Sequence, residues 1–459
     1  MVPSTTRRRI AALYTSRQRW LRIAILACTL TPKFSVSAQD LTAQAANRPT
    51  SPRLRLGDVY AAVAEHNPRA AAARLLATAA DARVAPAGLF PDPQVQLEFM
   101  NYELPGLRPM DPLGMVQLQV MQMVPLAGKR SLSGRIASHT AAAGRERASE
   151  TAWEVRTRAA MAFYELFEAE QGVTIALETR QLVQNVARIA QTMYEVGEGN
   201  QADALRAQVE LAKMTEEIAR MEAMRSTAVA KLNALLDRPL ESGLPTAARP
   251  QFPTEVPSVD SLLGFAMRDR PMIRAGQQDV AAAGAMTTRA RRELIPDLVL
   301  GFKYAQRNAE MGTERMGSLM IGASVPLFAG RRQLKWRDEA DAMFAMAQAD
   351  LAWMKAETRG RIGEVMAMLM RSRRLAELYT GTVLPQAEAA VASALSAYRV
   401  GRVDFMTVLD NRMTVNRYRM ELVALQAEEG TAWAELEMLA GQELIDAGTV
   451  DAKAKEDVR

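Results

Sequence analysis

From Val415 the apolar positions run through Tyr418, Leu422, Leu425, Ala432, Leu436 and Leu439, in steps of 3, 4, 3, 7, 4 and 3. This is the seam of a helix packed in coiled-coil fashion, with one gap, at Glu429. The same steps occur 204 residues earlier through Leu211, Met214, Ile218, Met221, Ala228, Leu232 and Leu235, and Arg225 fills that gap. A similar turn precedes each seam, Tyr194-Glu195-Val196-Gly197 in one case and Tyr398-Arg399-Val400-Gly401 in the other. Two seams at one offset predict a duplicated unit. The opposite charges at the gaps leave two readings open, pairing between helices or separate exposure to solvent.

Upstream of each seam the period shortens to that of a strand. Residues 94–99 (QVQLEF) and 115–124 (MVQLQVMQMV) alternate. In the second, Val116, Leu118, Val120, Gln122 and Val124 share one face, and Gln117, Gln119, Met121 and Met123 the other. The Pro/Gly-rich stretch 100–114 between them predicts a loop. Residues 298–304 (LVLGFKY) and 318–325 (SLMIGASV) predict a second strand pair, with 305–317 as its loop. Ten residues is about the length of a tilted membrane-spanning strand. A water-soluble hairpin packed on a helix fits the alternation equally well.

A helix-forming run follows each pair, after VPLAGKR (124–130) and after VPLFAGRR (325–332). The first reaches Met193 and would be about 95 Å long if unbroken; Gly134, Gly144 and Gly172 are candidate bends. The second reaches about Ala397, with a kink expected near Gly381 and Pro385. A returning helix, Gln201 to Leu236, carries the first seam. Ahead of the strands, the helical stretch 57–84 breaks at Asn67-Pro68, echoed by Arg270-Pro271. The predicted organisation is a leader (39–56), a first repeat (57–240), a Pro-rich linker (241–257), a second repeat (258–445) and a charged tail (446–459). The fold class is mainly α with a small β part.

Composition narrows the function. Among 459 residues, 49% are hydrophobic but only 5% aromatic, which suits long packed helices. Arg7, Arg8 and Arg9 precede an apolar run, Ile23–Leu30, and Val36-Ser37-Ala38 has the form of a cleavage site, so residues 1–38 read as an export signal. The run is too short for a membrane-spanning helix. Removing 1–38 takes away seven basic residues and no acidic one, and the net charge moves from +5 to −2. A nucleic-acid-binding surface loses its support. Cys28, the only cysteine, lies in the signal; the alternative is that Ile25-Leu26-Ala27-Cys28 serves as a lipidation box with Cys28 as anchor. With two histidines and no nucleophile–base set or phosphate loop, neither an enzyme nor a resident metal or cofactor is expected. The 27 methionines cluster in part around the strand pairs, at Met100, Met110, Met115, Met121 and Met123 and at Met311, Met316 and Met320. Thioethers suit soft cations such as Cu(I), and they also serve as adaptable packing.

Four strands per chain cannot close a membrane barrel, which needs at least eight; two chains supply eight and three supply twelve. The ordered elements, VPLFAG at the strand-to-helix joint and AYRVGRVDFMTVLDNR at 397–412 resemble the outer membrane efflux protein (TolC) family, over essentially the whole mature chain. QMVPLAGK further resembles its heavy-metal efflux subgroup. The resemblance implies a homotrimer with a shared twelve-stranded barrel in outer membrane lipid and a helical periplasmic tunnel. It implies a passive exit duct served by a periplasmic adaptor and an inner-membrane transporter of the RND type. Gly197 and Gly401 would mark the periplasmic tips. Asp410 would form an acidic ring at the constriction, its companion position being Thr407, and Tyr398 with Asp203 would hold the tube shut. A second, Arg-based link of the family does not carry over, because Val403 and Ala202 occupy its places. Asp410 also fits a plain acidic residue near a helix N-terminus, and Asp203 a residue that stabilises the start of its helix. A non-conducting periplasmic coiled-coil scaffold or adaptor explains the seams but not the strands.

Overall fold

The computed structural model describes residues 53–110, 113–309 and 312–445. The expected signal with Cys28, the expected leader up to residue 52 and the expected tail lie outside the described residues. The first half runs α1 (Leu56–His66), α2 (Pro68–Ala82), α3 (Val84–Ala87), β1 (Gln94–Met100), a two-stranded ribbon β2 (Tyr102–Glu103) and β3 (Arg108–Pro109), β4 (Met115–Val124), α4 (Lys129–Glu195) and α5 (Gln201–Leu235). The second half runs α6 (Val259–Asp269), α7 (Pro271–Arg292), β5 (Asp297–Ala309), β6 (Gly312–Ser324), α8 (Gln333–Leu378), a π-helical turn (Tyr379–Val383), α9 (Leu384–Arg399) and α10 (Phe405–Ala440). Each half runs helices, a strand pair, a long helical stretch and a returning helix, while the ribbon and α3 occur in the first half alone and the π turn in the second alone among the described residues.

The Asn67-Pro68 break arises as its chemistry requires. Asn67 stays extended before proline, and its side-chain oxygen accepts from the Arg69 and Ala70 N–H groups. Helix α4 is a continuous rod of 67 residues, about 100 Å long. The expected glycine bends do not break it. Gly172 is instead a contact point, where a Cβ would lie 2.6 Å from the Met221 sulfur of α5. The second long helix departs from regular α geometry where expected, as the π turn around Gly381, and Pro385, which has no N–H to donate, follows directly in the first turn of α9.

β1, β4, β5 and β6 form one antiparallel sheet in that order. The register lines up Val95–Val120–Phe302–Leu319 and Leu97–Leu118–Tyr304–Gly317 across the four strands. This face is apolar and exposed: Leu97 is 59% and Leu319 76% exposed. The opposite face carries rows such as Gln96–Gln119–Lys303–Ser318. The apolar band ends at the row Phe99–Val116–Gln306–Arg315, yet β5 and β6 stay paired as far as Ala309 and Gly312. The stretch 305–317 expected as loop is therefore mostly strand. Its polar composition hid a ladder held by backbone pairing. Among the described residues no helix is long and apolar enough to cross a membrane.

The linker and the end of the leader are clasped to the helices. Leu54 bridges to Ala247 in parallel. Glu170 of α4 pairs with Arg225 at 3.1 Å and accepts the Ala247 N–H at 2.8 Å. Arg373 of α8 pairs with Glu429 at 2.8 Å and donates to the carbonyls of Pro253 and Thr254. The two charged seam gaps thus neither pair with each other nor simply face solvent. Each finds the long helix of its own half, and Glu429 is buried.

Candidate gate at the helical tips

Each long helix reverses through a glycine in the left-handed region, Gly197 at φ +82° and Gly401 at φ +71°, where any other L-residue is strained. The hydrogen bonds of the two turns correspond one for one. Gly197 N donates to Tyr194 O and Glu198 N to Met193 O; Gly401 N donates to Tyr398 O and Arg402 N to Ala397 O. These bonds satisfy carbonyls that the helix ends leave open. The side chains differ. Exposed Glu195 and Glu198 flank the first turn, and exposed Arg399 and Arg402 the second, at equivalent positions. Among the described residues none of the four forms an ion pair.

Behind the turns the two hairpins share an apolar cluster. Val183, Ala190 and Ala207 of the first meet Ala394, Tyr398, Phe405, Val408 and Leu409 of the second. Tyr398 is 6% exposed and stacks edge-on against Phe405, with ring centroids 5.9 Å apart. Burial, and then the nearby Asp203 charge, push its phenol above the usual tyrosine range. No hydrogen bond joins Tyr398 and Asp203 among the described residues.

Asp404 caps α10, accepting from the Thr407 N–H at 2.9 Å and the Thr407 hydroxyl at 2.8 Å. These bonds, with the Arg206 charge, hold its carboxyl below the usual range. Thr407, which stands where the resemblance wants a second acid, thus helps to cap the helix. Asp410 lies one turn on, exposed and on the side of α10 away from Val408 and Leu409. It makes no hydrogen bond or ion pair among the described residues. Tyr398 thus lies in the hairpin interface, Asp203 is half-buried in the first turn of α5, and Asp410 sits on a free surface. Val403 is half-buried beside the apolar cluster and Ala202 is exposed.

Two contacts between the hairpins went unread in the sequence. Thr179 donates to Asn416 in a buried bond of 2.8 Å. Arg419 of α10 reaches Glu178 of α4 at 3.3 Å and Glu388 of α9 at 2.6 Å. Asn416, a polar residue directly beside seam position Val415, was the available signal. Among the described residues no group of three His, Cys, Asp or Glu side chains could hold a metal ion.

The sequence profile of the outer membrane efflux protein family matches residues 60–238 and again 262–442. The cobalt-zinc-cadmium resistance protein CzcC of Cupriavidus metallidurans is 23% identical over 333 residues, covering 70% of this chain and 75% of that protein. Among solved structures, CusC superposes with a TM-score of 0.72 at 15% identity, covering 85% of this chain and 93% of its own. VceC of Vibrio cholerae superposes with the same score at 18% identity, covering 85% and 97%.

Proposed function

This chain belongs to the outer membrane efflux protein family, and from that premise we propose how it builds its duct and its gate. The protein is an exit channel of a tripartite efflux system in the Gram-negative outer membrane. In the proposed assembly three copies join their sheets into a twelve-stranded barrel, and the helices continue it as a periplasmic tunnel.

The observation that carries this reading is the sheet. It has one apolar exposed face and two edge strands, β1 and β6, each with one side unpaired among the described residues. A sheet in hydrocarbon must close, because unpaired backbone groups there have no water to turn to. Four strands fall short of the smallest barrels, and three sheets edge to edge supply twelve. The polar face then lines the lumen. The non-conducting scaffold leaves this apolar sheet without a purpose.

The two hairpins lie side by side in one chain, so threefold symmetry places each between two of the other kind. The six tips then alternate in charge, acidic Glu195 and Glu198 against basic Arg399 and Arg402. Three Asp410 carboxylates on the free side of α10 form an acidic ring that favours cations and binds a divalent ion through oxygen. Tyr398 and Asp203 hold the hairpins in the closed arrangement. The tips at Gly197 and Gly401 dock a periplasmic adaptor, which links the duct to an inner-membrane transporter of the RND type. Similarity to a protein named for cobalt, zinc and cadmium resistance supports heavy-metal ions as cargo.

Planar-bilayer recording of membrane-extracted protein tests both levels. Wild type should conduct and be blocked by millimolar Mg²⁺, and Asp410→Ala should conduct without that block. A correctly folded oligomer that never conducts overturns the duct. A block that survives in Asp410→Ala overturns only the gate assignment.

A further inference from the structure

The polar face of the sheet holds four donor atoms in an arrangement that a duct wall does not need. β1 and β4 pair Met100 with Met115 and, one row in, Glu98 with Gln117. Strand alternation puts all four side chains on one face, with opposed Cβ atoms about 4.5–5.5 Å apart. Gln117 is 3% exposed. Its Nε2 donates to the Met115 sulfur at 3.0 Å and to the Met100 sulfur at 3.6 Å, so both thioethers converge on one point. Its Oε1 is buried without a hydrogen-bond partner among the described residues. Glu98 is exposed and forms no ion pair among the described residues. Arg307, which faces Met115 from β5, is already neutralised by Glu314 at 2.7 Å.

A thioether is a weak acceptor for an amide N–H, and an orphaned buried amide oxygen is unfavourable. Rotating the Gln117 amide by half a turn gives that oxygen a partner if a cation sits between the sulfurs. The oxygen then points at the cation, and the NH₂ group takes the place of the orphaned atom. We propose that Met100, Met115, Gln117 and Glu98 bind a soft monovalent cation, Ag(I) or Cu(I). The two sulfurs supply the soft ligands that select such ions, Gln117 an oxygen, and Glu98 the balancing charge. Hard cations such as Mg²⁺ prefer all-oxygen sites and are not expected here. The site lies within one chain, so it stands or falls independently of conductance, of the trimer and of the efflux cargo.

Calorimetric titration of the purified, membrane-extracted protein with Ag⁺ in chloride-free buffer tests the site. Wild type should take up one Ag⁺ per chain at these residues. The Met100→Leu, Met115→Leu double variant should lose that uptake, and Gln117→Leu and Glu98→Gln should each weaken it about tenfold. A Met121→Leu, Met320→Leu control alters the other methionine pair on this face, which flanks Gly301, and should keep it. Circular dichroism verifies folding of every variant, and the exposed Glu98→Gln change serves where the double variant fails that check. Absence of Ag⁺ uptake by wild type, wild-type uptake by the double variant, equal loss in the control, or unchanged affinity in Glu98→Gln each overturns the proposal.

Discussion

The two returning helices share one seam and one turn, yet the molecule uses them differently. α5 buries a single stripe against α4, and most of its remaining surface is exposed. α10 is buried almost all round from Val423 to Ala440, wedged against α4, α6 and α8. Equivalent positions have changed sign or size to suit. Arg225 and Glu170 in the first half become Glu429 and Arg373 in the second. Ser226, exposed, becomes Gly430, buried. Repeated backbone geometry thus tolerates opposite side-chain chemistry wherever the surroundings differ.

The contrast can be broken first at the clasps. Arg373→Ala strands Glu429, whose side chain is 8% exposed, and should cost about 3–5 kcal/mol. Arg225 is 44% exposed, and Glu170 keeps the Ala247 N–H, so Arg225→Ala should cost only about 1 kcal/mol. Thermal unfolding in detergent would show the difference as a much larger drop in Tm for the first. Equal drops would mean the two clasps are equivalent after all.

Packing gives the next effect. A Cβ on Gly430 would fall 2.3 Å from a Tyr164 ring carbon, and Gly430→Ala should destabilise by about 1–3 kcal/mol. Ser226→Ala, at the matching exposed place, should change stability by less than about 0.5 kcal/mol in either direction. The same melting measurement distinguishes them.

Smaller still is the charge contrast at the tips, where exposed pairs contribute about 0.2–1 kcal/mol each. Arg399→Glu with Arg402→Glu makes every tip of the proposed ring acidic. Bilayer recordings should then show a severalfold higher open fraction at low salt, an effect screened away near 1 M. Adding Glu195→Lys and Glu198→Lys should restore wild-type closure, and failure of that rescue would remove charge alternation from the account.

The smallest expected change concerns Tyr398, which has Tyr194 as its exposed counterpart. The folded state raises the Tyr398 pKa, so its contribution is complete below the unfolded value of about 10 and declines as pH rises above it. Tyr398→Phe should flatten the alkaline end of the stability profile. Melting series between pH 8 and 11 would show this.

Much of the framework was legible because periodicity reports burial. β4 begins and ends at the expected residues, and the helix turns fall at the two glycines. What escaped was set by partners distant in sequence. The outer ends of β5 and β6 are polar because both faces leave the apolar band, so alternation fades while the ladder persists. Glycines along α4 looked like bends because a sequence does not show what presses on them. At the tips, Tyr398 and Asp203 were readable only as a pair from the resemblance. The Thr179–Asn416 and Arg419–Glu178 contacts join residues more than 230 positions apart along α4 and α10.

The edges of β1 and β6 that stay open among the described residues would also govern how the proposed barrel assembles in its membrane. Each row of backbone N–H and C=O groups left open in hydrocarbon costs several kcal/mol per group, so a solitary chain is not a stable membrane species. Insertion should therefore behave kinetically like a reaction of high order, accelerating steeply with local chain concentration. In water the same edges template pairing with any exposed strand, and delivery becomes a race between matching neighbours and wrong ones. Changes in these two strands should show themselves in the yield of assembled protein before they alter the activity of those molecules that succeed.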